Sequence, residues 1–396
     1  MCSLRRFIGL EFSVFMIIIL TLIFLGFYPQ TSFEDVFLQK ANLLPFIDFR
    51  SGYPPVTRLP YYFLFIAFSN SSIYGFITLF FNALTFFLMI FTIYLNVAKL
   101  SYERTLSIAL IVTLMPSVIY FTLVIAHGDA IAMMFSLLAL YFFEKPWLAG
   151  VFCGFGTLAK FYPAVLLLPL IIYYKDFKKK LALLYAFILT MLLISLPFLL
   201  SDPLMYISVA ACNFLRGPSE SIFALIDGYF GHTGFLHPTF DGSLYSWQFA
   251  ALYEPTYYDH FRYKWNIPIL PYMSLGLQLA SIVGISLLAR KKKDQKESVS
   301  LISLATFSYF AFSTFYNPLV QIPQICLLAI ATINWNKHRQ IKTLAAFEAV
   351  NTLHSLIWYC PLFLYVGVML PLSIAIMLRF ILYIFVLTSI IRRNSV

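Results

Sequence analysis

Residues 127–163 read HGDAIAMMFSLLALYFFEKPWLAGVFCGFGTLAKFYP. A His-Gly-Asp turn opens an apolar run over 129–143, Glu144-Lys145 interrupts it, a second run covers 146–159, and Lys160 stands alone before a third run over 161–174. Apolar runs with charges confined to the turns between them predict helices stacked in a membrane.

The composition agrees with that reading. The chain has 396 residues, of which 61% are hydrophobic and only 11% charged, against about 25% charged in soluble domains; its mean hydropathy is +0.84. Working outward, apolar runs predict an all-α polytopic membrane protein of about twelve transmembrane helices in one domain over 1–396, at about 7–28, 72–97, 105–125, 129–143, 146–159, 161–174, 181–200, 269–289, 298–316, 319–334, 343–364 and 368–391. The first run follows Arg5-Arg6 like a signal peptide, but it has spanning length and no small-residue cleavage site follows, so it reads as a retained helix.

Placing the N-terminus inside puts nineteen of the twenty-seven Lys and Arg on the inner side, which is the expected orientation. The net charge of +10 is thus a matter of topology, and nucleic acid is not a partner. Two long outer loops result, 29–71 and 201–268; the second is aromatic-rich and suited to the membrane interface. The inner turns contain neither a Walker-type loop nor GxGxxG after a strand, which excludes a cytoplasmic nucleotide engine. The five cysteines form no CxxC pair, so no zinc site or disulfide framework is indicated. No internal repeat is visible, which weighs against repeat-built transporters.

Candidate chemistry lies along the outer side. Asp35 and Asp48 precede the stiff Tyr53-Pro54-Pro55 turn; each is either a poised carboxylate or an ordinary solvated charge. His127 and Asp129 occupy an outer turn, where Asp129 is a functional acid or a helix cap. Lys160 either meets an anion such as phosphate or snorkels to the interface. Arg216 either binds phosphate or pairs with Glu220. Arg379 is the one cation placed mid-span.

Taken together, these segments resemble the multi-pass GT-C glycosyltransferases, most closely the mannosyltransferases that use polyprenol-phosphate mannose, including the first mannosyltransferase of GPI-anchor assembly. Asp35 followed by PFIDFRSGYPP is similar to the family's aspartate and PYxDFxxEYPP-like segment, with Phe46 for the tyrosine and Gly52 where an acid would stand. The 127–163 stretch resembles, in order, a Gly-Gln-x-Asp-like turn, a helix, an Ala-Gly pair and a Lys-x-Tyr-Pro element. LRGPSESIFALI resembles an Arg-containing, Glu-Ser-ending element, and FYNPLVQIPQICLLAI loosely resembles FNKVxSPQYxxWxxPL, with Pro318 for the lysine and Ile325 for the tyrosine.

The resemblance implies inverting transfer of a sugar, mannose by analogy, from a polyprenyl or dolichyl phosphate donor to a lipid-linked or glycan acceptor on the non-cytoplasmic side. Asp35 would remove the acceptor proton, with Asp48 in reserve. Lys160, Arg216, His232 and His237 would meet the donor phosphate, and Tyr53, His127, Asp129, Glu220 and Gln324 would line the substrate. No metal or cofactor is implied, because a phosphate leaving group is already charged and no Asp-x-Asp pair stands in the outer loops. Membrane lipids surround the site, and a partner subunit is compatible with it. A non-catalytic lipid-glycan-binding subunit of the same architecture and a transporter are the competing readings. The orientation predicts that a cysteine at Ser219 reacts with an impermeant thiol reagent from outside, and one at Ser298 only after permeabilisation.

Overall fold

The computed structural model describes residues 54–68, 74–124, 128–203, 206–207, 220–228, 265–314, 320–359 and 369–395, with scattered helical positions between 9 and 21. Asp35, Asp48, Tyr53, His127, Arg216, His232 and His237 lie outside the described residues. Among the described residues all regular structure is helical.

Helix α1 (Pro55–Phe68) forms inside the segment read as an outer loop. Pro55 suits the first helical position, where its missing N–H costs nothing, and Tyr61, Tyr62 and Phe65 turn one aromatic face inward. Helix α2 (Tyr74–Leu100) runs the length of the bundle. Helices α3 (Thr105–Thr113) and α4 (Pro116–Ile119), the latter continuing through a π turn over Tyr120–Val124, replace the straight span expected over 105–125. The two halves meet at 63°. Pro116 cannot continue the hydrogen-bond ladder, and Glu348 compensates: its carboxylate accepts from the Ser117 amide at 2.7 Å and hydroxyl at 2.6 Å. A broken helix is tolerated at membrane depth when protein groups satisfy the freed backbone in this way.

Helices α5 (Asp129–Tyr141), α6 (Pro146–Ala159) and α7 (Leu167–Tyr173) follow the sequence reading closely. Helix α8 (Phe177–Ser201) leads to the short α9 (Ile222–Asp227). Then come α10 (Leu270–Lys291), α11 (Gln295–Ala311), α12 (Gln321–Ala331), α13 (Lys337–Tyr359) and α14 (Met369–Ser395). Four described helices are long and apolar enough to cross a membrane, five if the bent pair forms one span, fewer than the twelve laid out from sequence. The run over 7–28 lies mostly outside the described residues; for the fourth and fifth runs the difference is geometric. Helices α5 and α6 have 13 and 14 residues, about 20 Å of helix against a hydrocarbon core of about 30 Å.

The basic turns gather at one end. Lys99 pairs with Glu144 at 3.0 Å, Arg104 donates to the carbonyls of Ile333 and Trp335, Arg339 stacks over Trp335, and the Ser300 hydroxyl ties the start of α11 to Ala331 at the end of α12. Ser298 is buried there, so the exposed Lys293 is the better cysteine position for testing the orientation at this end.

Close packing of α6 on α8 depends on Gly150 and Gly154, spaced four apart. A Cβ at Gly150 would sit 2.3 Å from the Leu183 carbonyl oxygen, and one at Gly154 would sit 2.8 Å from Thr190 Cβ. Small residues let helix backbones approach where no hydrophobic force distinguishes lipid from protein. Gly150→Ala is expected to lower stability by about 1–3 kcal/mol, read as an earlier thermal transition in detergent. Gly284→Ala, where a Cβ meets nothing within 4 Å, is expected to melt no earlier than the parent.

Candidate functional site

The site forms where α1 meets the start of α5 and the end of α6. Gly128 has φ +73°, and a Cβ there would lie 2.3 Å from Thr57 Cγ2, so glycine is required both by conformation and by contact. Thr57 donates at 2.8 Å to the carbonyl of Ala159, the last residue of α6. One side chain of α1 thus touches the turn before Asp129 and the residue before Lys160.

Lys160 Nζ lies 2.7 Å from Asp129 Oδ2, with the two side chains 16% and 2% exposed. Asp129 opens α5 and Lys160 closes α6, so each charge stands at the helix end whose dipole favours it. Helix α5 is capped by Gly128 without a side-chain hydrogen bond; the Asp129 carboxylate turns to the lysine instead of serving as a cap. The lysine has found a protein anion instead of snorkelling. Around the pair, Tyr162 donates to the Asp129 carbonyl at 3.3 Å, and Tyr61 donates to Asn82 Oδ1 at 2.7 Å. Arg58, next to Thr57, is a second buried cation. Because α5 reaches the basic end at Glu144, the pair lies about 20 Å from that end.

A second polar cluster stands at the same end of the bundle. Glu220, 1% exposed, meets His354 Nε2 through Oε2. Arg379 Nη1 is 2.6 Å from His354 Nδ1, and Nη2 donates to the Glu220 carbonyl. Arg379 is therefore within the protein as its mid-span position suggested, and Glu220 faces inward. Arg379 also borders a pocket with Ser221, Phe310, Ser313 and Tyr383. Phe310 packs edge-on against Tyr162, ring centres 5.7 Å apart, so one aromatic pair separates the two clusters. Gln324 is fully buried in α12, with both amide atoms lacking a partner among the described residues; no described contact joins it to either cluster.

Sequence reasoning passed over Arg58, Glu348 and His354. Glu348, Asn351 and His354 recur every third residue along α13, and polar groups at that spacing, two of them ionisable, inside an apolar span are a legible signal.

These features define an integral membrane protein, helical throughout its described residues, with two buried polar clusters at the end opposite its basic turns. The chain belongs to glycosyltransferase family 87, whose model matches residues 52–314, about two thirds of the chain. That family has the GT-C-like multi-pass organisation of membrane glycosyltransferases, and the matched region contains Asp129, Lys160 and Glu220 while leaving out His354 and Arg379. No curated protein and no solved structure matches the chain.

Removing one member of a buried pair strands the other charge, so Lys160→Met is expected to melt earlier than the parent. Adding Asp129→Asn is expected to recover much of the loss, with a coupling of about 0.5–3 kcal/mol in a thermal-melt double-mutant cycle.

Proposed function

We propose that this glycosyltransferase moves a sugar, mannose by resemblance, from a polyprenyl phosphate to a lipid-linked or glycan acceptor on the non-cytoplasmic side, with inversion. The observation that carries the reading is the docking of α1 on both Gly128 and Ala159, because the segment bearing Asp35 and Asp48 runs directly into that helix. Asp48 precedes Pro54 by six residues, and Asp35 precedes it by nineteen, reaches of at most about 20 Å and about 65 Å, so the chain is long enough for either carboxylate to act beside Lys160.

In this reading Asp129 holds the Lys160 ammonium in place, and Lys160, with Arg58 nearby on α1, faces the phosphate that departs. Cations already oriented toward a developing charge need no reorganisation as the bond breaks. Arg216 and either His232 or His237 supply further donors from the second outer segment. Asp35 takes the acceptor hydroxyl proton as that oxygen attacks the anomeric carbon, and the polyprenyl phosphate leaves with the bonding electrons. The recess made by the short helices keeps this step below the outer surface while the prenyl chain stays among apolar side chains.

The test uses purified protein in lipid with radiolabelled polyprenyl phosphate mannose and a panel of lipid-linked acceptors. Product is expected from the parent, and Asp35→Asn is expected to keep donor binding while turnover falls at least about 10²-fold. Inactivity confined to Asp48→Asn would move the base to Asp48; no product with any polyprenyl phosphate sugar would overturn the donor assignment.

A further inference from the structure

Arginine carries only donors, which fixes the state of the imidazole between Arg379 and Glu220. His354 Nδ1 must accept from Arg379 Nη1, so the ring proton is on Nε2 and is donated to the Glu220 carboxylate. The imidazole is neutral and has both nitrogens engaged, while Arg379 also binds the Glu220 carbonyl. Three side chains from three separate segments are thereby locked into one buried unit whose formal charges cancel.

We propose that Glu220, His354 and Arg379 form a positioning relay for sugar transfer, in which a permanently neutral His354 holds the Glu220–Ser221 turn against the wall of the Asp129–Lys160 site. The proposal rests on the transferase reading above. Glu220 has φ +46°, a conformation that costs a non-glycine residue and persists only when its surroundings over-determine it. The surroundings do so from two sides: α13 and α14 hold the Glu220 side chain and carbonyl, and Ser221 donates to the Thr314 carbonyl at 2.6 Å. Ser221 and Arg379 then share a pocket wall with Phe310, which packs on Tyr162, whose hydroxyl reaches Asp129. A shift of the turn is thus transmitted to the pair through two aromatic rings. Glu220 acts here through its neighbours and not by touching substrate.

His354→Gln and His354→Leu distinguish this from acid–base chemistry. Glutamine accepts through one amide atom and donates through the other, so it preserves the relay but takes up no proton. In the full chain purified in detergent, His354→Gln is expected to melt near the parent and turn over within about threefold of it. His354→Leu is expected to lose turnover at least about tenfold, with donor KM unchanged. If the leucine variant does not fold, Glu220→Met, which keeps the length of the side chain but offers the His354 Nε2 proton no acceptor, takes its place with the same expectation. A glutamine variant that melts like the parent but is inactive would make His354 a proton-transfer group and overturn the relay, as would a fully active leucine variant. If the parent transfers no sugar from any polyprenyl phosphate, the donor assignment fails and melting alone decides. Glutamine near the parent then supports the relay, and glutamine as low as leucine overturns it.

Discussion

Charge inside an apolar bundle has to be matched where it stands, and the ion pair between Asp129 and Lys160 is the match around which the end of this protein opposite its basic turns is organised. Neither charge could remain there alone. Their meeting requires that α5 begin and α6 end at the same level, which requires the close turn at Gly128 and the docking of Thr57. The same rule operates at Glu348, which accepts from Ser117 at the broken helix, and in the Glu220, His354 and Arg379 unit.

Function follows from where these matched charges are put. In the proposed reading, the enzyme has to bring a lipid phosphate and a hydroxyl together without exposing the prenyl chain. Family 87 membership supplies the reaction class. The buried pair supplies oriented charge, and α1, which follows Pro54, docks beside it. Aromatic packing of Tyr162 on Phe310 makes the wall between the pair and the second cluster common to both.

Much of this was legible in the sequence because membrane helices write themselves as apolar runs and their turns as charges. The boundaries of α5 and α6 were read almost to the residue from Asp129, Glu144-Lys145 and Lys160. Helix α1 was not, since a stretch containing Pro54, Pro55 and Pro60 within a charged segment reads as loop, and only burial of Tyr61, Tyr62 and Phe65 makes it a helix. The partner of Lys160 was hidden for another reason: the lysine and Asp129 are 31 residues apart, and a lone cation in sequence does not announce which anion faces it. Arg379 was visible as a charge out of place, whereas His354, which explains it, passed as part of an apolar span.

The account stands or falls on whether the lipid phosphate lies at the Asp129–Lys160 pair. A polyprenyl phosphate carrying a photoreactive group next to the phosphate, activated on the protein in lipid and mapped by mass spectrometry, reads that position directly. The predicted result is labelling confined to the start of α1 and to residues around Gly128 and Lys160, competed by unmodified polyprenyl phosphate. Competed labelling concentrated instead on the exposed face of α8, or among the basic turns near Lys99 and Arg104, would contradict it.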